Sequence, residues 1–246
     1  MSEVFRLDDL LKIVSRFKTL PVKEYKEYEH GLIMRHDVDF SIDMAYEFSR
    51  KELENGIKST FYILVTSDMY NPFSGESRKK IDQLLSDGFE IGLHFDPLAF
   101  GQKTDNELLG FMNAEIDMLE QSFGFKVKSY SMHNPSLSGI YLENPELINA
   151  YDQKIFSPDN YISDSCYSYR GKDLETFLEK SNESLVQFLT HPIHFFSNGK
   201  ISYEVQVNEM VEGFYRKLNR YLEQNHLYRA QYSSYNTGVF CKKESH

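Results

Sequence analysis

The feature that most limits how this chain can fold is an alternation. Four short runs rich in β-branched and aromatic residues, 31–36, 58–66, 89–95 and 126–133, are separated by longer stretches with apolar residues at helical spacing. The helical stretches carry their own punctuation. Ser41 sits where a cap belongs and Gly56 where that helix stops, Gly88 closes the next, and Thr104 with Glu107 has capping-box spacing ahead of the third. An amphipathic helix over 6–18 opens the chain, and a strand over 184–192 followed by a long helix over 202–225 closes it. Strands joined through helices run parallel, since only a long crossover returns the chain to the same end of a sheet.

Between 134 and 183 the pattern loosens into a loop with a short helix, short strands over 153–158 and 160–165, and a short helix over 172–180. About seven strands in 246 residues, with no repeat, linker or composition break, point to one domain over 1–246. The expected class is α/β, as a closed or nearly closed β/α barrel in preference to a doubly wound sheet. A chain that is 41% hydrophobic and 15% aromatic can fill such a core. The net charge of −10, with no basic patch, excludes nucleic acid as an expected partner. Two distant cysteines, Cys166 and Cys241, read as free thiols in a reducing compartment. No run is long and apolar enough for a membrane span, and the first residues lack the pattern of a signal peptide, so a cytoplasmic location is expected.

In β/α barrels chemistry gathers at the carboxyl ends of the strands. The runs here end in "RHDVD", "GLHFD", "SMHN" and "THPIH", and these hold five of the eight histidines: His36, His94, His133, His191 and His194. Asp37 and Asp39, two apart on an extended chain, face the same way, together with Arg35. Two carboxylates side by side repel, and a divalent cation relieves that by giving one acid a metal and leaving the other to take a proton. A helix cap and a surface ion pair with Arg35 would be the plain alternative. His94 and Asp96 share a face after Gly92, His133 precedes Asn134, and Pro192 ends the last strand directly after His191. Mixed Asp/His donors with an open position are what a catalytic zinc-type site uses. His30, His226 and His246 are assigned no role.

Taken together as an ordered set, "RHDVD", "STFYILV", "GFEIGLHFD", "SMHNPS" and "THPIHF" resemble the polysaccharide deacetylase superfamily, the NodB-like carbohydrate esterases, in the branch with HDVD in place of the usual paired acids. The resemblance spans about 31–196. It implies a distorted (β/α)7 barrel and metal-dependent hydrolysis of an N- or O-acyl group on a sugar. Carried over by position, Asp37 would be the general base, Asp39 a metal ligand, His94 the first metal histidine and His191 the general acid, with Asp164 near the acid that tunes it. Two positions depart from the pattern. Leu98 stands where the second metal histidine belongs, and His133 stands at the strand end that carries the base-orienting arginine, so we read His133 as the replacement ligand.

The expected activity is therefore removal of an acyl group, acetyl first, from a carbohydrate or a lipid- or nucleotide-linked sugar. Asp39, His94 and His133 would hold a divalent ion, zinc first, with nickel, cobalt or iron suited to the same donors. Arg35, His36, Asp96, Asn134, Asp164 and His194 are expected to bind substrate or support these groups. The alternatives are a non-catalytic sugar-binding barrel and a deformylase or amidohydrolase acting on another acyl group.

Overall fold

The computed structural model describes residues 4–196 and 202–225. The chain divides into two compact units, Met1–Ile201 and Ser202–His246. Within the first, helix α1 (Leu7–Val14) precedes strand β1 (Thr19–Leu20), and β2 (Gly31–Val38), α2 (Ile42–Glu54), β3 (Thr60–Leu64), α3 (Gly75–Ser86), β4 (Glu90–Phe95), α4 (Asp105–Phe123) and β5 (Ser129–Met132) follow in strict alternation. Then come α5 (Pro135–Ser138), β6 (Ile148–Asn149), β7 (Tyr161–Ser163), α6 (Leu174–Glu179) and β8 (Leu185–Thr190).

The caps read from the sequence are in place. The Ser41 hydroxyl accepts from the Met44 amide, Thr104 and Glu107 close a reciprocal capping box, and α4 ends at Gly124 with a left-handed φ of 69°. Each such cap contributes about 1 kcal/mol. The opening helix is shorter than its periodicity, because the chain turns at Ser15–Phe17 to deliver β1 to the edge of β2.

All pairings are parallel, in the order β6-β5-β4-β3-β2-β8-β7, with β1 beside the start of β2. Every residue of β2, β3, β4 and β5 is buried, as expected for strands covered on both faces. The sheet curls. Asp37 on β2 and Ser131 on β5 are three strands apart, roughly 14 Å in a flat sheet, yet their side-chain oxygens approach to 3.4 Å. The result is a half-barrel whose inner face is polar and whose helices cover the outer face, the distorted (β/α) architecture expected. Its seam lies between the edge strands β6 and β7. There Gln187 on β8 donates from Nε2 to the carbonyls of Ala150 and Ile155, both at 3.0 Å, spanning the gap with side-chain bonds.

Close packing inside the curl depends on one glycine. A Cβ on Gly92 would lie 2.4 Å from the Tyr62 ring and 2.8 Å from the Ser129 carbonyl. The bare backbone instead lets Tyr62 lie flat across β4 and donate to Ser129 Oγ at 2.8 Å. Of the two short strands expected over 153–158 and 160–165, only the second forms, as β7, and β1 and β6 add two pairings of two residues each.

In the second unit, α7 (Tyr203–Gln224) is capped by Ser202, whose hydroxyl accepts from the Glu204 amide. Cys166 is a free thiol, whereas Cys241, His226 and His246 lie outside the described residues.

Candidate active site

The inner face of the half-barrel is set by strand alternation. Arg35, Asp37 and, just past the strand, Asp39 point inward from β2, while His36 points outward into the helix layer. His36 is fully buried there. Its Nε2 lies 3.0 Å from Glu52 Oε1 on α2, its Nδ1 2.6 Å from Thr190 Oγ1, and its ring sits between Phe48 and Phe61. Its place is thus apart from the inward-facing groups with which the sequence grouped it.

The inward residues meet. One ligand atom each from Asp39, His94 and His133 lies within 4.8 Å of the other two. His94 is 2% exposed, and its Nδ1 contacts the Ser131 carbonyl at 3.2 Å. A carbonyl only accepts, so Nδ1 donates to it, and Nε2 faces the acids, 3.2 Å from Asp39 Oδ1 and 3.7 Å from Asp37 Oδ2. Asp37 Oδ1 and Asp39 Oδ1 are both buried without a hydrogen bond. Two carboxylates and a ring nitrogen gathered at one place, with a carboxylate oxygen of each acid left without a hydrogen bond, fit a cation. These residues therefore suit the divalent ion that the donor set implies.

His133 enters from the neighbouring strand. The register His94↔Ser131 and Phe95↔Met132 sets His133 against Asp96, and the His133 amide donates to the Phe95 carbonyl at 2.7 Å. Its Nδ1 is 3.3 Å from Asp96 Oδ2, its Nε2 3.1 Å from Asn134 Nδ2, and its ring meets His94 edge-on at 5.2 Å. Burial alone would lower the His133 pKa, but the Asp96 contact and the charges of Asp39, Asp96 and Asp37 raise it. Leu98 lies in a single turn after β4, 49% exposed, where the Asp96 carboxylate accepts from its amide at 2.9 Å.

Asp37 is held by Arg35, which is fully buried. The guanidinium Nη2 donates to Asp37 Oδ2 at 2.9 Å, to Ser131 Oγ at 3.0 Å and to the Tyr151 hydroxyl at 3.2 Å. Its central carbon lies 4.9 Å from the Tyr151 ring centre. The orienting arginine thus comes from the same strand as the acid, two residues earlier.

On the other side stands His191. Asp164, fully buried at the end of β7, accepts the His191 amide at 2.8 Å, His191 Nδ1 at 2.6 Å and His194 Nδ1 at 2.9 Å. Burial would raise Asp164, but the two histidines bring it down to about 2; burial would lower His191, but Asp164, then Asp39 and Asp37, raise it to about 9. His191 Nε2 is left facing Asp39 Oδ2 at 3.8 Å. Asp39 itself is brought down to about 2, against the effect of burial, by His94, His191 and His133.

Arg35, Asp37, Asp39, His94, Asp96, His133, Asn134, Asp164, His191 and His194 therefore form one connected group. Ser131, Tyr151 and Gln187 were not anticipated. Ser131 was findable, since it precedes His133 by two on a strand, but Tyr151 lies where periodicity fails. Tyr62, Tyr130, Tyr167 and Tyr169 are buried in the core, while Tyr141 stays 51% exposed.

No protein-family model matches this chain, and no curated protein does. Solved structures do match. One is a CE4 esterase from Streptococcus mutans, at 11% identity over 80% of this chain and 86% of that one, with a TM-score of 0.47. Another is the peptidoglycan deacetylase PdaC from Bacillus subtilis, at 16% over 80% and 96%, with a TM-score of 0.45. A third is a CE4 family pseudoenzyme from Bacillus anthracis, at 12% over 74% and 60%, with a TM-score of 0.44. Such neighbours are CE4 polysaccharide and peptidoglycan deacetylases or their inactive relatives. At these identities and scores they carry no weight for the activity of this chain, which rests on its own residues.

Proposed function

We propose that this protein is a metal-dependent hydrolase that removes an acyl group, acetyl first, from a sugar or sugar-linked intermediate. The observation that carries this reading is the meeting of Asp39, His94 and His133, one ligand atom each within 4.8 Å of the other two, opposite a histidine held by a buried acid. Asp39, His94 and His133 are the residues that would hold the ion. When bound, the ion supplies Lewis-acid polarisation of the acyl carbonyl and makes water more acidic.

The chain's own residues do the rest. Asp37, fixed by Arg35 and Ser131, takes a proton from the attacking water. His191, protonated at neutral pH and oriented by Asp164, gives a proton to the departing amine or alcohol. Asp96 stands beside the His133 ring, 3.3 Å from Nδ1. A base and an acid on opposite sides of one carbonyl are the parts that acyl transfer to water requires.

The test combines metal analysis with acetate or formate release from a panel of acylated amino sugars. One metal per chain is expected, lost in Asp39→Ala but kept in Asp37→Asn, with release abolished in both. A metal-free protein whose properties Asp39→Ala leaves unchanged would instead support a sugar-binding barrel without catalysis. Metal with no release from any sugar would move the reading to a non-carbohydrate substrate.

A further inference from the structure

Beyond the catalytic group, β7 borders a cavity of about 260 Å³ whose lining includes Phe156, Tyr161, Tyr169, Arg170 and Lys172. That volume approaches the lower end of small-molecule sites, about 300 Å³. Its walls are largely apolar and its two charged residues are both cations, in a chain with a net charge of −10. The Lys172 ammonium donates to the Pro158 and Tyr161 carbonyls, both at 2.8 Å, and lies 4.2 Å from the centre of the Phe177 ring, so its bonds are largely taken up by the protein. The Arg170 guanidinium forms no ion pair or hydrogen bond among the described residues, although its backbone amide donates to Ser168 Oγ.

Arg170 is put there at a conformational cost. Its φ is 54°, and Cys166 and Tyr167 just before it are also left-handed, at 59° and 54°. Non-glycine residues adopt this region rarely, and three within five positions persist only where the surroundings impose them. The imposition is visible. Tyr167 lies tilted against His194 with centroids 4.1 Å apart, while the Tyr169 ring lies parallel to Phe5 at 5.3 Å and its hydroxyl donates to the Val4 carbonyl at 2.8 Å.

The cavity and the catalytic group share β7. Tyr161 lines the cavity, and three residues further along the chain Asp164 holds His191, a separation of roughly 10 Å at extended rise. An aromatic row runs the other way. Tyr161 meets Phe156 at 4.6 Å, Phe156 meets Tyr151 at 4.7 Å, and the Tyr151 hydroxyl accepts from Arg35.

We propose that this cavity binds a negatively charged group of the substrate, phosphate or carboxylate, with Arg170 as its main partner. The proposal deepens the acyl-sugar hydrolase reading, and equilibrium binding tests it without turnover. Three probes are compared by calorimetry: UDP-N-acetylglucosamine, a glucuronic acid–N-acetylhexosamine disaccharide and neutral N,N′-diacetylchitobiose. At least one anionic probe is expected to bind tenfold or more tightly than the neutral one, and which of them does so names the anion's source. Arg170→Asn, which suits a left-handed backbone while removing the charge, is expected to shrink that preference below threefold. Asp39→Ala is expected to keep it. Should Arg170→Asn not fold, loss of the wild-type preference at high salt serves instead. Equal binding of all three probes, a preference that survives Arg170→Asn, or one insensitive to salt would overturn the proposal. Loss of turnover with the preference intact would count against the hydrolase alone.

Discussion

Glu115 on α4 is 4% exposed, and neither carboxylate oxygen has a hydrogen-bond partner among the described residues. Burial, and then the charge of Asp96, raise its pKa from 4.5 to about 8. Glu90 is equally buried, but Thr60, Ser129 and the Lys23 amide all donate to it. Nothing does so for Glu115. At pH 7 the folded protein keeps this proton while the unfolded chain gives it up. The folded state then binds more protons than the unfolded state, so stability falls as pH rises from 4.5 towards 8. Glu115→Gln is neutral at every pH and nearly isosteric. Its advantage should therefore grow from about 1 kcal/mol at pH 5 to about 3 at pH 7 and about 4 at pH 8, at 1.36 kcal/mol per pKa unit. Urea denaturation of both proteins at those three values reads the difference, and groups that titrate alike in the two cancel. An advantage constant within about 0.5 kcal/mol across the range would refute the buried neutral acid, since linkage leaves no other outcome for a raised pKa.

Other perturbations have equally definite outcomes. Arg35→Met leaves the Asp37 carboxylate buried and uncompensated, so about 3–5 kcal/mol of stability should be lost, with much of it regained in Arg35→Met/Asp37→Asn; chemical denaturation checks both. Gly92→Ala drives a methyl into the Tyr62 ring and the Ser129 carbonyl, and about 3 kcal/mol of destabilisation is expected from the same measurement. Zinc at a hundredfold over its dissociation constant should stabilise the protein by about 2.7 kcal/mol. A chelator should remove that gain from the wild type and change nothing in Asp39→Ala, as followed by thermal melting.

The polar strand ends were legible because a parallel β/α chain must stop each strand at one end of the sheet, and polar residues there stand out against apolar runs. The two-residue period also placed Arg35, Asp37 and Asp39 together, and it argues against grouping His36 with them, one position out of phase. Two kinds of residue were hidden. Those brought together by curvature, such as Ser131 against Asp37, depend on how far the sheet bends, which periodicity does not encode. Those in 134–183 lie on strands of two and three residues held by side-chain bonds from Gln187 and Arg35, so the usual alternation never builds up. The pairing of Asp96 with His133 needed the β4–β5 register, in which His94 stands opposite Ser131.

The seam between β6 and β7 is fastened from within, and one of its fasteners is Arg35. The same nitrogen that grips the Tyr151 hydroxyl beside β6 also grips Asp37. One guanidinium nitrogen therefore ties the β6 side of the seam to Asp37. The place where strands are missing is thus wired, through one buried side chain, to an acid on the far side of the half-barrel.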